Sequence, residues 1–77
     1  MNTYYKKLIA ILSVAIGRHE WHEWIMSALE ENDTPRSKSA VQGWAMSPDN
    51  RKFRAMTADD MQDVLDAVYK KINGEQL

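Results

Sequence analysis

Glu20-Trp21-His22-Glu23-Trp24-Ile25-Met26-Ser27-Ala28-Leu29-Glu30-Glu31 is the stretch that decides the fold class. Trp21, Trp24, Ile25, Ala28 and Leu29 stand at i, i+3, i+4, i+7 and i+8, which is one face of a helix. Glu20, Glu23, Glu30 and Glu31 fall on the other side, so the spacing predicts a half-buried helix over 20–31. Asn32-Asp33-Thr34-Pro35 ends it, because Asn and Asp favour turns and a proline disfavours helical geometry in the residue before it.

Working towards the N-terminus, residues 4–16 carry apolar side chains at Tyr5, Leu8, Ile9, Ile11, Leu12, Ala15 and Ile16. That stripe is broad enough for a helix buried on most sides, and Gly17 supplies its stop. Lys6-Lys7 followed by the apolar run 8–16 and small residues also resembles a short signal peptide. Its removal would take away the most apolar helix, so residues 1–17 are read as part of the domain. The run is too short to span a bilayer.

Towards the C-terminus, Ser37 can cap a third helix over 38–46 with Ala40, Val41 and Trp44 inward. Ser47-Pro48-Asp49-Asn50 is turn chemistry, and Arg51-Lys52-Phe53-Arg54 reads as a basic loop pinned by Phe53 in the core. Thr57 with Asp59 and Asp60 opens a fourth helix over 58–72, whose stripe is Met61, Val64, Leu65, Val68 and Ile72. Gly74 stops it, and residues 75–77 are expected to fray. The expectation is a single all-α domain over 1–77, a compact bundle of four helices with a helix-turn-helix-like centre.

A chain of 77 residues without cysteine has neither disulfide nor thiolate metal site to hold it, so apolar packing must. Three Trp, three Tyr, one Phe and five Met meet that need. The absence of cysteine also suits a reducing compartment, and a cytoplasmic location is expected. The net charge of −1 conceals alternation: residues 1–19 carry +3, 20–34 carry −5, 35–54 carry +4 and 55–77 carry −3. One basic segment can still present one basic face.

Chemistry has few footholds. His19 and His22 are three apart and Glu23 is four from His19, but a zincin needs histidines four apart and a third ligand; a solvated helix start is the simpler reading. No Gly-x-Ser-x-Gly elbow exists, and Gly17, Gly43 and Gly74 are too scattered for a phosphate loop. Asp59, Asp60, Asp63 and Asp66 read as a solvated acidic face. No enzymatic activity, cofactor or metal is expected. Trp21, Trp24 and Trp44 share registers with Ile25, Leu29 and Val41 and are assigned to packing, with a partner contact as the alternative.

Thr34-Pro35-Arg36-Ser37-Lys38-Ser39-Ala40-Val41-Gln42-Gly43-Trp44 combines a turn, a hydroxyl-rich helix start, and an apolar residue three before a Trp, as recognition helices do. Ser37 and Ser39 hydroxyls can hold phosphates, Arg36 and Lys38 add charge, and Gln42 can pair with adenine edges. Arg51, Lys52 and Arg54 would clamp the flanking backbone. With Val41 and Trp44 at the buried recognition-helix positions, the usual turn glycine falls on Pro35 and the usual small residue on Glu31, so the preceding turn must differ. The expected function is a small DNA-binding transcriptional regulator of phage or plasmid type, acting on double-stranded DNA as a homodimer and not on membranes. The alternative is a protein-interaction module that binds a host factor without touching DNA.

The chain also resembles a single repeat of the YehS-like conserved bacterial proteins, which carry two such helical units in tandem. The residues concerned are Lys6-Lys7-Leu8, the hydroxyl-rich start and Trp44 of the third helix, and above all Ser47-Pro48-Asp49-Asn50-Arg51-Lys52-Phe53-Arg54 before an apolar helix. The likeness runs from Asn2 to about Ile72. It implies the helical fold but no settled activity and no catalytic residues, and a single unit in place of a pair implies a homodimer.

Overall fold

Four helices form among the described residues: α1 (Asn2–Ile16), α2 (Trp21–Glu31), α3 (Lys38–Gly43) and α4 (Ala58–Gln76), with no strand. The computed structural model describes residues 1–17 and 20–76, with side chains through Gly74. The amphipathic stretch that decides the fold class is the hub: α4, α3 and α1 all pack against α2. Ile25, Ala28 and Leu29 of α2 meet Met61, Val64, Ala67 and Val68 of α4, Ala40, Val41 and Trp44 in and after α3, and Tyr5 and Leu12 of α1 in one buried cluster. Ile25, Leu29, Val41 and Val64 are wholly buried, each contributing about 1.5–3 kcal/mol.

Local chemistry sets the helix ends. Gly17 adopts φ 119° and returns its N–H to the Ser13 carbonyl. After α2, Asp33 enters the left-handed region at φ 61°, Thr34 N–H donates to the Leu29 carbonyl at 2.9 Å and Asp33 N–H to the Glu30 carbonyl at 3.1 Å. This is a Schellman closure with Asp where glycine is commoner. The Ser37 hydroxyl accepts from Ala40 N–H at 3.2 Å, capping α3. Thr57 and Asp60 form a reciprocal capping box at the start of α4, with N–H to side-chain oxygen distances of 3.1 and 3.0 Å.

The Tyr5 ring lies edge-on to Trp44 with centroids 5.4 Å apart, and its hydroxyl donates to the Val41 carbonyl at 2.8 Å. Burial pushes the phenol's pKa well above its ordinary value, so the group stays neutral.

Several expectations change. α3 ends at Gly43 rather than at 46, because Ala45 and Met46 donate to carbonyls three residues back and tighten into turns. α4 continues through Gly74 to Gln76, since an exposed glycine weakens a helix without obliging a turn; of the tail expected to fray, 75 and 76 are therefore helical and Leu77 lies outside the described residues. Phe53 is half-buried rather than in the core, and Met56, 6% exposed, anchors that loop instead. α1 buries only Tyr5 and Leu12 and leaves Ile11 and Ala15 exposed, while Leu65 and Ile72 of α4 are also open to solvent. Both apolar stripes are wider than the single chain can cover.

Candidate nucleic-acid interface

The turn that Pro48 and Asn50 begin brings the chain back onto α3. Asn50 N–H donates to the Ser47 carbonyl, the Asn50 side-chain oxygen accepts from Lys52 N–H at 2.8 Å, and Arg54 N–H donates to the Gly43 carbonyl at 3.1 Å. The contact needs a glycine: a Cβ on residue 43 would stand 2.7 Å from the Lys52 carbonyl oxygen and 2.9 Å from the Arg54 Cγ. Asn2 locks the other side. Its amide nitrogen donates to the carbonyls of Trp44 and Arg54 at 3.0 and 2.8 Å, and its oxygen accepts from Met56 N–H at 2.8 Å. All three bonds join residues more than forty apart in sequence.

Held this way, the loop and α3 enclose a cleft of about 330 Å³ lined by Ser39, Gln42, Met46, Arg51, Lys52, Phe53 and Arg54. Five of the eight residues expected to bind DNA thus meet at one place. Arg51, Lys52 and Arg54 are exposed, and none of them enters an ion pair among the described residues. Asp49 is the one acid of the segment; hydrogen bonds from the Ser47 side chain and from its own backbone hold its carboxyl below the usual carboxylate range.

The other three stand apart. Lys38 is exposed at the start of α3 but does not line the cleft, and the Ser37 hydroxyl is engaged as the helix cap. Arg36 turns the opposite way, onto α4. Its Nη2 lies 2.6 Å from Asp63 Oδ2 and 3.3 Å from Asp60 Oδ1, its Nε donates to Asp60 at 3.4 Å, and its Nη1 donates to the carbonyls of Thr34 and Pro35. A guanidinium with its donors so occupied is a brace between the α2–α3 turn and α4, not a free phosphate ligand. The acidic run divides accordingly: Asp60 and Asp63 are half-buried on Arg36, while Asp59 and Asp66 face solvent. Partial burial works against ionisation of Asp60, yet the Thr57 backbone and hydroxyl together with Arg36 outweigh it and hold the carboxyl below its ordinary range.

His22 packs its ring edge-on to Trp21 at 5.6 Å, and His19 lies outside the described residues. Among the described residues no group of three or more His, Asp or Glu side chains is arranged to hold a metal ion, and no helix is long and apolar enough to cross a membrane. Trp44 is buried as expected; Trp21 and Trp24 are partly covered, with Lys71 Nζ 5.6 Å over the Trp24 ring.

Asn2 and Gly43 assemble the cleft and neither stands out in the sequence. Gly43 leaves a trace, since a glycine inside a helix costs about 1 kcal/mol relative to alanine. No family model, curated protein or solved structure matches the chain.

Proposed function

We propose that the chain is a small DNA-binding regulator whose contact surface is the cleft between α3 and the 51–54 loop. The observation that carries this reading is the convergence of Arg51, Lys52 and Arg54 with the polar side chains of Ser39 and Gln42 around one opening. Unpaired cations on a loop fixed at both edges supply phosphate attraction with little ordering cost on binding. Ser39 and Gln42, on the outer side of α3, are the side chains available for base edges. Six residues make a short reading helix, so phosphate contacts carry most of the affinity and sequence preference is modest. The helix-turn-helix-like use of α2 and α3 belongs to this proposal, as does the cytoplasmic setting in which such a regulator works.

Fluorescence anisotropy with labelled duplexes at 50 and 200 mM salt tests it. Affinity should fall steeply with salt, and Arg51→Ala with Lys52→Ala should weaken binding to every duplex and lower the salt slope by about 2. Gln42→Ala should instead relax preference among sequences. Absence of binding to any duplex at low salt overturns the reading. A protein-interaction module is the second reading, and the exposed tyrosines of α1 and α4 favour it.

A further inference from the structure

Away from the basic cleft, α1 and α4 begin at a common end, where Asn2 accepts from Met56, and diverge enough to leave a groove of about 560 Å³ between them. Its walls are apolar. Tyr4 and Ile11 of α1 and Leu65 of α4 line it, and exposed apolar side chains continue beyond it at Val14 on α1 and at Tyr69 and Ile72 on α4. Ile11, Leu65 and Ile72 are positions of the sequence stripes that the core leaves uncovered. Ile11 is 69% exposed and Val14 is 91% exposed. An apolar face this continuous marks a contact surface.

We propose that a second copy of this chain covers this face, in a two-fold dimer that lays α1 of each protomer against α4 of the other. Charge identifies the occupant. The α1 lip carries Lys7 and the α4 lip carries Asp66; both are exposed, and no ion pair joins them within the chain. The charged residues of α1 are Lys6 and Lys7, whereas the outward charges in the first half of α4 are Asp59 and Asp66. A two-fold contact is self-complementary, so it sets Lys7 opposite Asp66 twice. A partner of uniform sign, such as an anionic lipid surface, would match one lip and be repelled by the other. Area points the same way. Two tyrosines exposed by 62% and 70% have about two thirds of the ~150–250 Å² of an aromatic side chain left to bury, and with Ile11, Val14, Leu65 and Ile72 they supply a large part of the roughly 800 Å² that a standard interface takes from each partner.

The inference does not depend on DNA binding, since oligomeric state is measured without DNA. Sedimentation equilibrium of the full chain at micromolar concentration should show a dimer. Ile11→Glu, at a site the single chain leaves exposed, should raise the dissociation constant by about 100-fold while leaving the helical circular dichroism intact. Lys7→Glu and Asp66→Lys should each weaken the dimer about tenfold, and the double variant should restore it. A wild-type chain that stays monomeric to 100 μM or above overturns the proposal, as does a folded Ile11→Glu variant that remains dimeric. A dimer in which the two charge reversals do not rescue each other overturns the α1-on-α4 arrangement, whatever the DNA measurements show.

Discussion

The backbone N–H of Arg54 donates to the carbonyl of Gly43 at 3.1 Å, and this contact leaves no room for a Cβ on residue 43. Ordinarily alanine in place of a helical glycine gains about 0.8–1 kcal/mol of helix propensity. Here the added methyl meets the Lys52 carbonyl at 2.7 Å, a backbone atom that moves only with its loop, and overpacking of that kind costs about 1–3 kcal/mol. Gly43→Ala should therefore lower stability by up to about 2 kcal/mol in urea unfolding. It should also weaken the proposed DNA binding, because the added methyl would displace the loop that bears Arg51, Lys52 and Arg54.

Asn2 satisfies two carbonyls and one N–H, and among the described residues no other side chain bonds to them. Asn2→Ala should cost about 1–3 kcal/mol, as expected where partly buried polar groups lose their partner. Hydrogen exchange at the Met56 amide should accelerate more than exchange at the Val64 amide, which lies inside α4. Equal acceleration at both sites would mean global destabilisation and not a local clamp.

Arg36→Ala separates the brace from the interface. It should leave DNA affinity within about twofold of wild type, in contrast to Arg51→Ala with Lys52→Ala, since a phosphate-free arginine contributes nothing to counterion release. Its cost to folding should be about 1 kcal/mol, because the pair with Asp60 and Asp63 is partly exposed. A loss of DNA binding equal to that of the loop variants would return Arg36 to the contact surface.

Asp60 also sets an acid limb. Its folded pKa lies below the unfolded value of 3.8, so its contribution is fully present above that value and is lost as pH falls through the folded pKa. Asp60→Asn should flatten the stability profile below about pH 4 and leave its shape between pH 6 and 8 unchanged, as read from urea midpoints.

Asp33 holds the turn after α2 in the left-handed region. Alanine there bears the full steric penalty while glycine bears none, so Asp33→Ala should be less stable than Asp33→Gly by about 1 kcal/mol in thermal unfolding.

Helices were legible because their signals are local. The spacing of Trp21, Trp24, Ile25, Ala28 and Leu29 places α2 within a residue of its observed start, and Thr57 with Asp60 marks the start of α4. The width of the buried faces was not legible, because Ile11 and Leu65 are apolar at helical spacing yet stay 69% and 49% exposed. For the cleft, residue type pointed to Ser39, Gln42, Arg51, Lys52 and Arg54, whereas Arg36 carries the same charge and is captured by Asp60 and Asp63, more than twenty residues away. Only tertiary contact distinguishes a paired arginine from a free one.

Asn2 bonds across 54 residues to Met56, and that separation has a consequence during synthesis. α1 leaves the ribosome well before the residues that fasten it, since neither amide hydrogen of Asn2 finds its carbonyl until Trp44 and Arg54 have emerged. At typical elongation rates of 5–20 residues per second this interval is roughly 3–11 s. Throughout it the nascent chain displays Leu8, Ile9 and Leu12 without α4 to complete the core that receives them. Such a nascent segment is a natural client for ribosome-associated chaperones.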